Sequence, residues 1–139
     1  LRGLKNTQVI DVLNIENEKY DTILLLMNGT GIFETLDRTT VYLQKLKSLL
    51  QPSGQILIDS SDIIYMFDED EDGGKWIPSD NYYGELTFTL QYKNETEIPF
   101  PWLYLDYNTL QNAAIANGLQ CQLVLEGDHF DYLAQLTLL

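Results

Sequence analysis

The sequence predicts an α/β domain on a mostly parallel sheet, with a C-terminal antiparallel hairpin and an inserted two-stranded aromatic hairpin. Three observations predict it. Thr22-Ile-Leu-Leu-Leu-Met27 is apolar on both faces and stops at Asn28-Gly29, the habit of a parallel strand covered by helices on each side. Residues 35–50 then adopt a helical period through Leu36, Leu43, Leu46 and Leu50, and Gln55-Ile-Leu-Ile-Asp59 follows as another short apolar strand. Strand, helix and strand of these lengths form a parallel unit with a right-handed crossover. Near the C-terminus, Gln120 to Glu126 and Tyr132 to Leu138 are joined only by Gly127-Asp128-His129-Phe130-Asp131, a spacing that allows only antiparallel pairing.

Each element has local grounds. Gln8-Val-Ile-Asp-Val-Leu13 is short and rich in β-branched residues, and reads as a first strand with a polar carboxyl end. Leu13 and Thr22 are too close for a helical crossover, which takes at least about 10 to 12 residues, so other strands are expected between those two. The helix of residues 35–50 carries Lys45 and Lys47 in its last turns and ends before Pro52 and Gly54. Gly84 to Lys93 alternates through Leu86, Phe88, Leu90 and Tyr92. Residues 97–105 look extended, with Asn94-Glu95 as the turn, and Pro99 and Pro101 confine that second strand to an edge. Asp106 is placed to cap a helix carrying Leu110, Ala113, Ala114 and Asn117, and Gly118 closes it. No linker divides the chain, so residues 1–139 read as one domain with an insertion at about 64–105.

Composition removes several function classes. The 139 residues carry a formal charge of −13 from 21 acids against eight Lys and Arg. Those cations form no stripe for a nucleic-acid backbone, and an anionic membrane surface would repel the chain. No apolar run reaches the roughly 18 residues of a spanning helix, and no signal-peptide pattern is present. A single cysteine, Cys121, makes no internal disulfide, which points to the cytoplasm. The triplets Asn28-Gly29-Thr30 and Asn94-Glu95-Thr96 are accordingly read as chance matches to a glycosylation signal. The opening on Leu1, with no Met and no polar leader, reads as a piece of something longer.

Ligands in an open parallel sheet bind outside the carboxyl ends of the strands. Three strands here end in polar residues: Asp11, Asn28-Gly29, and Asp59-Ser60-Ser61-Asp62. Turn-forming residues often end strands for their own sake, but three together mark one rim.

The runs Gln8-Val-Ile-Asp11-Val-Leu, Lys19-Tyr-Asp-Thr-Ile-Leu-Leu-Leu-Met-Asn-Gly29 and Leu46-Lys-Ser-Leu-Leu-Gln-Pro-Ser-Gly-Gln-Ile-Leu-Ile-Asp59 resemble the C-terminal two-thirds of a class I S-adenosylmethionine-dependent methyltransferase. The resemblance implies a partial Rossmann-like sheet, with S-adenosylmethionine as the cofactor of the parent enzyme and a small-molecule acceptor. It implies that Asp11 and Val12 face the adenine, that Asn28 and Gly29 floor the methyl donor, and that Asp59 and Ser60 lie on the substrate side. The family's Gly-rich loop and ribose-binding acid have no counterpart, since Gly29-Thr-Gly31 follows the wrong strand. By the usual size of such a domain, roughly 60 to 100 residues are missing, and the chain alone is expected to be inactive and not to bind the cofactor. Loss of the leading strands would expose the Thr22 to Met27 edge, to be covered either by Gln8 to Leu13 or by a second copy in a homodimer.

Methyl transfer is an in-line displacement, so acceptor-side residues chiefly shape the site and exclude water. The chain holds 16 aromatics. Eleven lie between Tyr65 and Tyr107, and Tyr65, Phe67, Trp76, Tyr82, Tyr83 and Trp102 are the acceptor-side candidates. Trp and Tyr faces beside carboxylates would suit an amine or cation; the same rings could equally fill the insertion's own core. Asp68, Asp70 and Asp72 before Gly73 copy the start of a calcium loop, but Lys75 and Ser79 break its remainder. This leaves a solvated acidic loop as the expectation and no assigned metal. His129 reads as hairpin surface and Cys121 as a small apolar residue. Ser60 and Ser61 lack the setting of a nucleophile. The competing function class is a non-catalytic binding or assembly domain that keeps the half-sheet and the acidic loop.

Overall fold

The computed structural model describes residues 3–139, so Leu1 and Arg2 lie outside it. Strands β1 (Tyr20–Leu25) and β2 (Leu50–Ser61) flank helix α1 (Thr39–Ser48). A small two-stranded sheet pairs β3 (Glu85–Phe88) with β6 (Phe100–Leu103), and β4 (Gln91–Tyr92) with β5 (Glu95–Thr96) forms the tip beyond it. Helix α2 (Tyr107–Ala116) and the hairpin β7 (Leu119–Glu126) and β8 (Asp131–Leu138) complete the chain.

The main sheet runs β1-β2-β8-β7. Only β1 and β2 are parallel, with Ile23 opposite Ile56 and Leu25 opposite Ile58. Strand β8 is antiparallel to both β2 and β7. The α/β class with its C-terminal antiparallel hairpin holds, but the sheet is mixed, with one parallel junction among the described residues. Helices α1 and α2 lie against the same core, where Leu43 and Leu46 meet Leu110 and Ala114 over Ile56, Ile58, Ala134 and Leu136. Gln44 and Lys47 of α1 reach Asn117 at the end of α2 (2.9 and 3.0 Å). Along β2 the burial alternates, with Ile56, Ile58 and Ser60 buried and the residues between them half-buried.

Two expectations need correction. Gln8 to Leu13 is not a strand. Val9 and Ile10 are exposed, and Asp11 instead accepts the Leu13 N–H (2.9 Å) to cap a single 3₁₀ turn at Val12–Asn14. β-branched residues favour a strand only when a ladder partner and a packing surface are present. The same segment therefore does not cover the β1 edge. Nor is Thr22 to Met27 buried on both sides: Leu25 is buried, but Leu24, Leu26 and Met27 are exposed, because among the described residues helices occupy one face only.

The inserted arm is antiparallel as its pattern predicts, but each predicted strand is broken in two, and the chain turns at Lys93-Asn94, not Asn94-Glu95, because Glu95 pairs with Tyr92. Its last strand belongs to the core as much as to the arm, since Leu103 and the following Leu105 are fully buried. At α2, Asp106 caps the helix by accepting the Thr109 N–H (2.9 Å), and Gly118 ends it at φ +73°, where a Cβ would be strained.

Candidate functional site

The carboxyl rim of β1 and β2 is built around two side chains. Asp59, in β2, accepts the N–H groups of Met27 (3.2 Å) and Gly29 (3.0 Å), fixing the turn after β1. Met27 and Asn28 are both left-handed there, a costly backbone for Met that the carboxylate helps to hold. Ser60 is buried, and its hydroxyl donates to the Asn28 side-chain oxygen (2.9 Å) while accepting the Leu105 N–H (3.0 Å). Thr30 Oγ1 stands 2.7 Å from the same hydroxyl and donates to the Leu103 carbonyl (3.0 Å), which also accepts the Asn28 amide (3.1 Å). Tyr132 closes the group by donating to the Leu105 carbonyl (2.9 Å). Among the described residues no buried side-chain polar atom lacks a partner.

This network joins the β1 turn, the end of β2 and the root of the arm. Gly31 adds a steric seat: a Cβ there would overlap the Trp102 indole, so the absence of a side chain lets β6 lie close.

Beside the network a cleft of about 480 Å³ opens between the end of β2, the start of α2 and the β7–β8 turn. Its walls carry the carboxylates of Asp62, Asp106, Glu126, Asp128 and Asp131 and the ring of Phe130. Two tyrosines of the arm bind its rim. Tyr83 donates to Asp62 (2.7 Å); Tyr82 donates to Asp106 (2.6 Å) and accepts the Asp106 N–H (3.0 Å). Burial pushes the Tyr82 hydroxyl up to about 12, and burial with the Asp62 hydrogen bond raises Tyr83 as well, so both stay protonated donors at neutral pH.

Burial alone would raise the Asp106 carboxyl. The hydrogen bonds from the Thr109 side chain, Tyr82 and the helix amides outweigh it and hold the group below the ordinary range. A folded-state pKa below the unfolded value of about 4 gives stability that is complete above that value and lost as pH falls through the folded pKa. Asp106→Ala is therefore expected to cost about 2 kcal/mol at pH 7, typical of a lost N-cap plus an orphaned partner. Urea unfolding at pH 7 and pH 3 should show this gap narrowing at the lower pH; an equal gap at both would contradict the assignment.

The sequence-derived site residues are only partly brought together. Asn28, Gly29, Asp59 and Ser60 converge, but their polar groups turn inward, so they hold the rim. Tyr83 reaches the cleft wall. Tyr65 stacks on Phe130 (4.7 Å between centroids, 17° between planes), and Trp102 packs on Gly31 and edge-on to Phe100. Trp76 is 73% exposed in the acidic loop. Val12 lies beside Tyr20, Thr22 and Leu49 near the opening of β1, and the Asp11 carboxylate is near enough to Tyr42 to add to the rise that burial causes in its hydroxyl pKa. Asp70 Oδ1 accepts the Asp72 and Gly74 amides (3.0 and 2.6 Å), and Glu69 pairs with Lys75. Among the described residues no group of three acids, histidines or cysteines is placed to hold a metal. Cys121 is buried, which pushes its thiol up to about 11.

Sequence reasoning missed Glu126, Asp128, Phe130 and Asp131 as rim residues and saw Asp106 only as a cap. The signal existed, because a last strand antiparallel to β2 places its preceding turn at the carboxyl rim.

A solved S-adenosylmethionine-dependent methyltransferase from Bacteroides fragilis, in complex with S-adenosyl-L-homocysteine, superposes on 99% of this chain with a TM-score of 0.88 at 44% identity. The chain has the class I S-adenosylmethionine-dependent methyltransferase fold. It spans 56% of the Bacteroides fragilis protein's length. Two more distant structures share the fold. One is a methyltransferase of Clostridium acetobutylicum (14% identity, TM-score 0.65, 99% of this chain and 66% of that one); the other is the CcbJ methyltransferase of Streptomyces caelestis (10%, 0.60, 94% and 62%). No protein-family model matches the chain, and no curated protein does. Among the described residues of this methyltransferase-fold chain, no helix is long and apolar enough to cross a membrane.

Proposed function

We propose that the protein carrying this chain transfers a methyl group from S-adenosylmethionine to a small-molecule acceptor. The observation that carries the reading is the 44% identity over 99% of the chain with a methyltransferase solved with S-adenosyl-L-homocysteine. The residues present suit one part of such a site. The turn at Asn28-Gly29 is locked from beneath by Asp59 and Ser60, which makes it a rigid floor for the methyl-bearing end of the cofactor. A Cβ at Gly29 would press on Leu25 at 2.5 Å, so the backbone itself forms that floor.

S-adenosylmethionine supplies an electrophilic methyl on a sulfonium; the protein's part is alignment and exclusion of water. We assign the acceptor side to the cleft walled by Asp62, Asp106 and Phe130, with Asp59, Ser60 and Tyr83 supporting it. Its five carboxylates favour a neutral or cationic acceptor and oppose an anionic one. The same acidity, −13 overall, argues against nucleic acid, and a lone buried thiol suits a reducing cytoplasm. The open β1 edge, with Leu24 and Leu26 exposed, is the place for a further strand or a second copy to pair.

The test is calorimetric titration of S-adenosyl-L-homocysteine into the whole protein that carries this chain, with the Bacteroides fragilis enzyme as reference, followed by radiolabelled methyl transfer to neutral, cationic and anionic acceptors. Saturable binding and transfer to the first two classes are expected. Absence of heat where the reference binds would overturn the reading.

A further inference from the structure

The segment between β2 and β3 is attached to the rest of the molecule in an unusual way. Among the described residues, every hydrogen bond made by residues 68–81 stays within residues 67–81: Asp70 with Gly74, Trp76 with Asp68, Lys75 with Glu69 and the Phe67 carbonyl. The segment is therefore a body of its own, internally braced and joined to the fold only at its ends. Its moorings are walls of the acidic cleft. At the front, the Asp62 N–H donates to the Phe130 carbonyl (2.9 Å) and Ile63 is buried. At the back, Tyr82 and Tyr83 bond Asp106 and Asp62. Two aromatic contacts tie the near end down, the stack of Tyr65 on Phe130 and the Phe67 ring set edge-on to Tyr83 (6.1 Å between centroids).

The Tyr65 stack is poised. One exposed aromatic pair adds little beyond the area it buries. Both rings are at least half exposed, so parting them opens no cavity in the core. A contact this small and this exposed is easily released.

We propose that residues 64–81 form a lid on the acidic cleft, hinged after Ile63 and before Tyr82 and latched by Tyr65 against Phe130. The cleft's role as the acceptor side rests on the methyl-transfer reading; the lid motion does not.

Nitrogen-15 relaxation dispersion on this chain tests it. Amides at 62–66, 81–84 and 128–131 should share one exchange rate in the microsecond-to-millisecond range expected of lid opening, while β2 and β8 from Leu133 onward stay flat. Tyr65→Ala should raise the open population about 2- to 10-fold, as loss of one ring pair implies, and Phe130→Leu should do the same. A flat profile at those residues, unrelated rates at the two ends, or unchanged populations in both variants would overturn the lid. S-adenosyl-L-homocysteine affinity is read separately, on the whole protein that carries this chain, so a shared rate in the chain with no binding by that protein keeps the lid and loses the methyl-transfer reading.

Discussion

Ser60→Ala is expected to lower the unfolding free energy by about 3 kcal/mol, because it leaves buried partners without water to replace them. The hydroxyl is both donor and acceptor: Asn28 loses the proton that fixes its amide, and the Leu105 N–H loses its acceptor. Thr30 keeps the Leu103 carbonyl, so the network is damaged and not abolished. Urea unfolding of the variant at pH 7 measures the loss, and a value below about 1 kcal/mol, that of an ordinary exposed hydrogen bond, would show that the network does not hold the rim. The sequence placed Ser60 at the substrate. The structure makes it a positioning residue whose removal first loosens the join between the β1 turn and the arm.

Gly84→Ala is expected to destabilise by a similar amount, about 3 kcal/mol at the upper end for overpacking. The added Cβ would run into the Tyr104 carbonyl oxygen, and the Tyr104 N–H already donates to the Gly84 carbonyl (2.8 Å). The obstruction is backbone, so no rotamer change relieves it, and the arm must tilt away from Tyr82 and Tyr83. Thermal unfolding followed by circular dichroism should show a midpoint lowered by more than the roughly 4 °C that 1 kcal/mol gives in a domain near this size. An unchanged midpoint would mean that the arm adjusts freely and that Gly84 is not what seats it.

The elements legible in the sequence are those whose causes are local. Leu43 and Leu46 at helical spacing, Asp106 before Thr109, Gly118 in the left-handed region and a five-residue connection before Tyr132 each act within one turn or one hairpin. The runs Lys19 to Gly29 and Leu46 to Asp59 also carried the family resemblance, and the methyltransferase fold agrees with it. Gln8 to Leu13 had the right residues for a strand and, among the described residues, no neighbour to pair with. The candidate site was legible as a rim, in Asn28, Asp59 and Ser60, and illegible as a cleft.

By itself the sequence determined the class of fold, the caps and turns, and an acidity that disfavours anionic partners. Only the tertiary structure decided which way the polar residues face. Asp59 and Ser60 follow a strand pattern that is compatible with binding a ligand, yet amides that are 30 and 45 residues away in the chain occupy them. Asp62, Asp106 and Asp131 form one wall because antiparallel pairing returns β8 to the rim of β2. Hydrogen-bond partners brought together by folding, and not the residue type, set whether a polar side chain supports the site or faces into it.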